Sequence, residues 1–251
     1  MLKKLFIGLL IIKSLSFAGE INIAAAADLV YAFKEMKTVF EKQNPGDKLS
    51  IAFGSSGSAF TQIKDGAPYD IFFSADMGYV LRLKNEGLVI GEAKPYAYGR
   101  IGIWARRGKG IDVLTGVSIL TDPKVKKIAI ADPSHAPYGV AAVNALKSQK
   151  LYDKLKEKFV LGENASQAAQ FAWSGAADVA LIPISLGYSE TFKKDGNFYL
   201  IPANWHNDIV QGYAILKSAK DNPTAKKFEE FVSSKEGREI FKKYGFILPN
   251  E

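Results

Sequence analysis

The sequence predicts an α/β protein of two lobes, in which mainly parallel sheets are flanked by helices on both faces. Strand-like and helix-like hydrophobic patterns alternate along the chain, which is typical of parallel sheets covered by helices. The chain has 251 residues, more than a single hydrophobic core usually organises. No Pro-, Gly- or Ser-rich linker separates two halves, so we expect strands that cross from one lobe to the other.

The strands are predicted from short apolar runs, some of which alternate with polar or small residues. These runs cover residues 21–23, 49–53, 71–73, 100–105, 128–131, 179–182, 199–201 and 211–216. Apolar residues at helical spacing predict helices between the strands. The clearest of these patterns contain Leu29, Val80, Val140 and Phe228.

The lobes are expected to be joined at residues 96–99 and 202–204, where the pattern changes after a strand-rich block. This divides the chain into a leading segment, two lobes and a hinge of crossover strands. The leading segment covers residues 1–18, the first lobe covers 19–98 plus 203–251, and the second lobe covers 99–202.

The leading segment has the layout of a secretory signal peptide. Two early lysines precede an apolar run at residues 5–12, and Ser16 and Ala18 are the small residues of a cleavage site. Lys13 ends the apolar run well before the roughly 20 residues that a membrane span needs, which disfavours a membrane anchor. We therefore expect export to the periplasm and a mature chain that begins near Gly19.

The composition excludes several classes of protein. The absence of cysteine excludes disulfides and thiolate metal sites, and it leaves no residue for a lipid anchor. His135 and His206 lack the spacing of a metal site, so no metal centre and no cofactor are expected. Without the leading segment the net charge is +4, which suits small anions but is too diffuse for nucleic acid. We expect a monomer.

In four places a predicted strand ends and small or hydroxyl-bearing residues open a helix. These segments are residues 24–28, 53–58, 130–139 and 162–167. Helix starts leave backbone N–H groups unpaired and carry partial positive charge. Ligands of open α/β sheets bind at the carboxyl ends of the strands. Several helix starts that converge there would form an anion site without Lys or Arg.

Five short runs form a wider pattern along the chain. They are GSSG at 54–57, GAPYDIFFSAD at 66–76, APYG at 136–139, SGAAD at 174–178 and GFILP at 245–249. This pattern resembles the periplasmic molybdate-binding proteins of ABC transporters, and the run at 66–76 is its most specific part. The resemblance implies a type II periplasmic-binding-protein fold. It also implies that the two lobes clamp molybdate or tungstate for delivery to a membrane permease.

The resemblance further implies which residues bind the anion. Carried onto this chain, they are Ala27, Asp28 and Ser56 in the first lobe, with the N–H groups of Tyr138 and Ala165 in the second. Two positions depart from the family pattern. Ala27 stands where many relatives have a hydroxyl or amide side chain, so only its backbone can donate. Pro183 stands where some relatives supply a tyrosine hydroxyl, and it can donate nothing.

Asp28 bears on the identity of the anion. Molybdate and sulfate offer only acceptors, so their sites should hold only donors, whereas hydrogen phosphate carries a proton that a carboxylate could accept. Either the Asp28 carboxylate faces the anion, or it turns back to cap the following helix while its N–H points inward. The second interpretation is favoured, because an unpaired carboxylate beside a dianion is costly.

Two alternative functions remain open from the sequence. One is a sulfate- or phosphate-binding protein of the same fold. The other is a periplasmic serine hydrolase that uses Ser55 or Ser56 with His135, although Ser58 stands where a nucleophile elbow needs glycine. The binding protein is preferred, so we expect no enzymatic activity.

Overall fold

The computed structural model describes residues 19–249, and the predicted signal peptide at 1–18 lies outside the described residues. The strands are β1 (Glu20–Ala26), β2 (Lys48–Gly54), β3 (Ile71–Ser74), β4 (Val89–Gly99), β5 (Ile101–Arg106), β6 (Ile128–Ala131), β7 (Phe159–Gly162), β8 (Val179–Pro183), β9 (Gly196–Leu200) and β10 (Ile209–Leu216). The helices are α1 (Val30–Gln43), α2 (Ser56–Lys64), α3 (Met77–Asn85), α4 (Pro137–Ser148), α5 (Tyr152–Leu155), α6 (Ala165–Ser174), α7 (Ile184–Gly187), α8 (Glu190–Asp195), α9 (Pro223–Ser233) and α10 (Lys235–Lys243).

The described strands form two five-stranded sheets, in the orders β2-β1-β3-β10-β4 and β7-β6-β8-β5-β9. In the first sheet β10 runs antiparallel to both of its neighbours, and in the second sheet β5 does the same. The other pairings are parallel. Each sheet is therefore mixed, with four strands in one direction and one reversed, and the predicted α/β fold of two lobes is confirmed.

The chain passes between the two sheets twice. It leaves the first sheet at the end of β4 and enters the second at β5, with Arg100 as the single residue between them. It leaves the second sheet at β9 and returns through residues 201–208 to β10. The two reversed strands, β5 and β10, are thus the strands that follow these passages, which explains why the sheets are mixed.

The sequence patterns miss two strands, β4 and β7. Both lie at an edge of their sheet. Most of the first seven residues of β4 are exposed, and the strand contains Gly91 and Pro95, which edge positions tolerate. An edge strand that buries little produces no clear hydrophobic period. The ends of β9 are also wrong in the prediction, which placed this strand at 199–201.

Helices cover both faces of each sheet, as the buried residues of β3 illustrate. Phe73 packs into an aromatic cluster with Phe33 of α1 (ring centroids 4.8 Å apart) and Phe228 of α9 (6.1 Å). The neighbouring Phe72 belongs to a separate core on the opposite face, together with Phe60 of α2. In the second lobe Trp104 is fully buried. Two such packed sheets provide rigid bodies that position the loops at their strand ends.

No helix within residues 19–249 is long and apolar enough to cross a membrane.

Candidate functional site

A small cavity lies where five strand-to-helix junctions meet, three from the first lobe and two from the second. Its lining residues are Ala26, Ala27, Asp28, Gly54, Ser55, Ser56, Ala75, Ala136, Pro137, Tyr138 and Ala165. The lining contains no Lys, Arg or His side chain. All five residues that the sequence analysis selected line this cavity, three from the first lobe and two from the second.

The helices at these junctions begin with different capping arrangements. Ser55 caps α2, since its Oγ accepts an N–H of the first turn at 3.2 Å. Asn164 caps α6 in the same way at 3.0 Å. Pro137 is the first residue of α4, where a missing N–H costs nothing. At the first junction β1 ends at Ala26, and a short 3-10 turn without a side-chain cap leads into α1.

Tyr138 and Ala165 provide backbone donors from the second lobe. Tyr138 is the second residue of α4 and Ala165 is the first of α6, and the helix offers no carbonyl to an N–H at these positions. Both residues are buried, and no acceptor among the described residues contacts either N–H. A buried N–H of this kind lowers stability unless a bound molecule accepts from it.

Ser56 provides a hydroxyl that is oriented by a neighbouring segment. Its Oγ accepts the N–H of Ala75 at 2.9 Å, and Ser56 itself is 1% exposed. Ala75 belongs to the run at 66–76, where Ser74 Oγ donates to the carbonyl of Asp76 at 2.7 Å and closes a tight turn after β3. Because Ala75 already donates to Ser56 Oγ, the Ser56 hydroxyl keeps its hydrogen for an acceptor in the cavity.

The carboxylate of Asp28 lies in a buried polar cluster. Its Oδ2 accepts from the Tyr138 hydroxyl at 2.9 Å and from Gln211 Nε2 at 2.7 Å, and Gln211 Nε2 also donates to the Tyr138 hydroxyl at 2.7 Å. Its Oδ1 is buried without a hydrogen-bond partner among the described residues. Burial raises the pKa of Asp28 to about 6, while the bonds from Gln211 and Tyr138 oppose that increase.

The favoured interpretation of Asp28 as a helix cap is therefore wrong. The 3-10 turn that leads into α1 has no side-chain cap, and the carboxylate instead reaches the second lobe through Tyr138 and strand β10 through Gln211. The physical reason is that two neutral side-chain donors, Tyr138 and Gln211, reach the buried carboxylate and stabilise its charge.

Hydrogen bonds between the lobes hold the cavity closed. Ser166 Oγ donates to the carbonyl of Ala27 at 2.8 Å, and Ser185 Oγ donates to the carbonyl of Asp28 at 2.8 Å. Ser185 follows Pro183, so the segment that lacks the family's tyrosine still contacts the first junction. The N–H of Gly57 donates to the carbonyl of His135 at 2.9 Å. A Cβ on Gly57 would lie 2.6 Å from that oxygen, so the contact requires glycine.

The sequence analysis did not select Ala75, Gln211, Ser166 or Ser185. Gln211 carries the most recognisable signal, because it is a polar residue inside a strand that is otherwise apolar, and it is fully buried. Ala75 lies inside the family-like run at 66–76. The two serines carry no signal of their own, because a serine near a helix start is usually a local cap.

The structure also brings Ser55 and His135 together. His135 Nδ1 lies 2.9 Å from Ser55 Oγ, and Ser55 Oγ donates to Ser58 Oγ at 2.8 Å. If Ser55 donates to Ser58, the His135 contact is a hydrogen bond only in the tautomer that carries its hydrogen on Nδ1. The opposite ring nitrogen lies 3.8 Å from Asp132 Oδ2 and 3.6 Å from Glu163 Oε2. The contact between Ser55 and His135 joins the two lobes at the edge of the cavity.

The arrangement suits one small anion that offers acceptors in several directions. Backbone N–H groups and a hydroxyl from opposite lobes surround the cavity, and the helix dipoles favour negative charge at these starts. The cavity walls bury these donors, so each hydrogen bond to a charged acceptor is stronger than it would be in water.

Comparisons with known proteins identify relatives of this chain. Residues 21–247 match the model of the bacterial extracellular solute-binding protein family. The molybdate-binding protein ModA of Rhodobacter capsulatus is 34% identical over 92% of this chain and 89% of its own length. Among solved structures, the periplasmic molybdate-binding protein of Azotobacter vinelandii is 32% identical, with a TM-score of 0.85 over 92% of this chain and 100% of that one. The substrate-binding domain of a putative molybdenum ABC transporter from Clostridium difficile is 30% identical, with a TM-score of 0.68 over 91% and 98%.

Replacing Tyr138 by Phe should raise the pKa of Asp28 above about 6, because it removes one of the two donors that stabilise the ionised carboxylate. The carboxyl carbon shift of Asp28, followed by NMR against pH in the unliganded protein, measures this directly. Tyr152→Phe, in the same lobe but outside the cluster, should leave the titration unchanged. A pKa of Asp28 that stays constant or decreases in Tyr138→Phe would contradict the assigned bond.

Proposed function

This chain belongs to the family of bacterial extracellular solute-binding proteins, and on that basis we propose that it captures molybdate, tungstate or both and delivers the anion to the permease of an ABC transporter. The observation that carries the proposal is the cavity between the lobes, which is lined by neutral donors and by no cationic side chain. Relatives named as molybdate-binding proteins, at 32–34% identity over 92% of the chain, support this choice of anion.

Donor geometry supports a fully ionised tetrahedral anion. Molybdate and tungstate present four oxygens that only accept hydrogen bonds. Ala27 and Asp28 would donate through backbone N–H groups and Ser56 through its hydroxyl, while Tyr138 and Ala165 would donate from the opposite lobe. No single lobe carries the whole set, so binding requires both.

Sulfate and phosphate are the alternatives within this class. Sulfate has the same charge as molybdate but shorter bonds, so a cavity built for the larger anion would leave some donors out of reach. Hydrogen phosphate would need an acceptor for its proton, and the unpartnered Oδ1 of Asp28 is the group that could supply one. The relatives named as molybdate-binding proteins support molybdate or tungstate as the ligand over these two anions.

Domain closure accompanies capture in this proposal. The contacts between the lobes (Gly57 with His135, Ser166 with Ala27) form only when the cleft is closed. The predicted hinge segments are 96–99 and 202–204; the first of these lies inside β4, and the chain crosses at Arg100 and at residues 201–208. These two passages would act as the hinge between the predicted lobes, 19–98 plus 203–251 and 99–202. The anion would then stabilise the closed state by accepting bonds from both sides.

We propose that the protein works as a monomer in the periplasm, after removal of residues 1–18. The relative from Azotobacter vinelandii is described as periplasmic, and the segment 1–18 has the pattern of a signal peptide. The sequence contains no cysteine, which favours a form without a lipid anchor. The partner would be a membrane permease, and nucleic acid is not an expected ligand.

A serine hydrolase is the second candidate, on the one observation that Ser55 and His135 are 2.9 Å apart. Two features weigh against it. Ser55 Oγ accepts a backbone N–H as the cap of α2 and also lies 2.8 Å from Ser58 Oγ, so it already has a structural role at this helix start. The relatives are also described as binding proteins. Hydrolysis of p-nitrophenyl acetate that disappears in Ser55→Ala would favour the hydrolase.

Calorimetric titration of the mature protein tests the proposed function. We expect tight binding of molybdate and tungstate, and much weaker binding of sulfate and phosphate at pH 7, because the relatives are named as molybdate-binding proteins and the proposed donors suit an anion that carries no proton. Competition between the anions gives the order of affinities. Sulfate binding as tight as molybdate binding would contradict the size argument, and a preference for phosphate would assign Asp28 the role of acceptor.

Ser56→Ala should weaken molybdate binding roughly ten- to a hundredfold, because one hydroxyl donor to a charged acceptor contributes about 1.5–3 kcal/mol. The fold should persist, since α2 keeps its cap at Ser55, but the melting temperature without anion should decrease, because the buried N–H of Ala75 loses its acceptor. Ser58→Ala, on the same helix but outside the cavity lining, serves as the control. An unchanged dissociation constant in Ser56→Ala would remove this residue from the site.

Ala165→Pro should weaken molybdate binding far more than Ala165→Gly, because proline lacks the N–H that donates to the anion. Position 165 is the first residue of α6 and follows Asn164, whose backbone is extended, so proline fits here without strain. Affinity by calorimetry and helix content by circular dichroism check the pair. Equal affinity of the two variants would show that the Ala165 N–H does not bind the anion.

A further inference from the structure

Asp28 places a buried carboxylate at the wall of the cavity that the proposed function assigns to a dianion. The residue is 1% exposed and lines the cavity. Its Oδ2 already accepts two hydrogen bonds, from Tyr138 and Gln211. Its Oδ1 accepts none among the described residues and is therefore the oxygen left for a ligand.

No cation balances this carboxylate. The groups around it are the hydroxyl of Tyr138 on α4, the hydroxyl of Tyr96 on β4 and the amide of Gln211 on β10. Burial and the nearby Asp28 charge raise the pKa of both tyrosines well above the ordinary value, so neither is charged near neutral pH. No Lys, Arg or His among residues 19–249 forms a hydrogen bond or an ion pair with the Asp28 side chain. The charge of an incoming dianion would meet that of Asp28 directly.

Whether Asp28 is ionised or protonated in the complex depends on which weakens binding less, the repulsion between two negative charges or the protonation of the carboxyl group. Two unit charges of the same sign about 4 Å apart, at an effective dielectric constant of about 20, weaken binding by about a thousandfold, and a dianion carries twice the charge. Protonating a carboxyl group whose pKa is about 6 weakens binding only about tenfold at pH 7. Protonation is therefore much the smaller penalty.

We propose that Asp28 takes up one proton when the anion binds, and that its Oδ1–H then donates a hydrogen bond to an oxygen of the anion. The inference rests on the proposed function, since it concerns the same cavity. The proton comes from solvent on capture and returns to solvent on release, and no other bond is made or broken. Asp28 thereby becomes one more donor of the site, and it selects anions that carry no proton of their own.

The proposal fixes the sign of the pH dependence. Above the pKa of Asp28 in the free protein, about 6, each increase of one pH unit should raise the dissociation constant for molybdate about tenfold. Below that pKa the carboxyl group is already protonated, so the dissociation constant should level off. Capture would be strongest in mildly acidic surroundings.

Asp28→Asn separates this role from simple packing. The amide has the same shape, its oxygen can accept from Tyr138 and Gln211, and its NH₂ group can donate from the position of Oδ1 without titrating. Molybdate affinity of Asp28→Asn should be constant from pH 6 to 8.5 and at least tenfold higher than that of the wild type at pH 8. His135→Gln is the matched control, because His135 is the titratable side chain next to the cavity, and it should retain the tenfold slope.

The decisive experiment is calorimetric titration with molybdate at pH 8, in buffers of different ionisation enthalpy. The wild type and His135→Gln should take up about one proton per anion, and Asp28→Asn should take up none. Tight binding by the wild type without proton uptake would overturn the proposal while leaving the proposed function intact. Uptake that persists in Asp28→Asn and vanishes in His135→Gln would overturn it as well. If molybdate and tungstate fail to bind at any pH from 5.5 to 8.5, the proposed function itself fails.

Discussion

The structure depends on one constraint, which is that the buried N–H groups at the starts of α4 and α6 need an acceptor that the chain does not provide. Helix starts always leave such groups unpaired, but at the protein surface water satisfies them. Here Tyr138 and Ala165 are buried where the lobes meet, and no group among the described residues accepts a hydrogen bond from either N–H. In the proposed function, an oxyanion would complete this set of bonds. The same constraint explains why the cavity needs no Lys or Arg side chain, since the helix starts already carry partial positive charge.

The cluster of Asp28, Tyr138 and Gln211 links this site to the passages between the lobes. Gln211 lies on β10, the strand that returns the chain to the first sheet, and Tyr138 lies on a helix of the second lobe. A Cβ on Gly99, at the end of β4, would lie 2.4 Å from the Tyr138 hydroxyl and 2.9 Å from Gln211 Nε2. The cluster therefore packs against β4 and β10, the strands by which the chain leaves and re-enters the first sheet, and it joins the two lobes through Tyr138.

Much of the fold could be predicted from the sequence, because buried strands such as β6 (Ile128–Ala131) and helices such as α1 carry clear hydrophobic periods. Edge strands β4 and β7 could not, because they bury too little to show one. The five residues predicted to bind the anion all line the cavity, and they could be selected because helix starts and family-like runs are local signals. The direction of the Asp28 carboxylate and the part played by Gln211 depend on contacts 183 residues apart in the chain, which no local pattern encodes.

The most direct test of the proposed anion site is a crystal structure of the mature protein with tungstate, located by its anomalous scattering. We expect one tungsten peak in the cavity between the lobes, with anion oxygens within hydrogen-bond distance of Ser56 Oγ and of the N–H groups of Tyr138 and Ala165. A peak bound by one lobe alone, or one held by lysine and arginine side chains elsewhere on the surface, would contradict it.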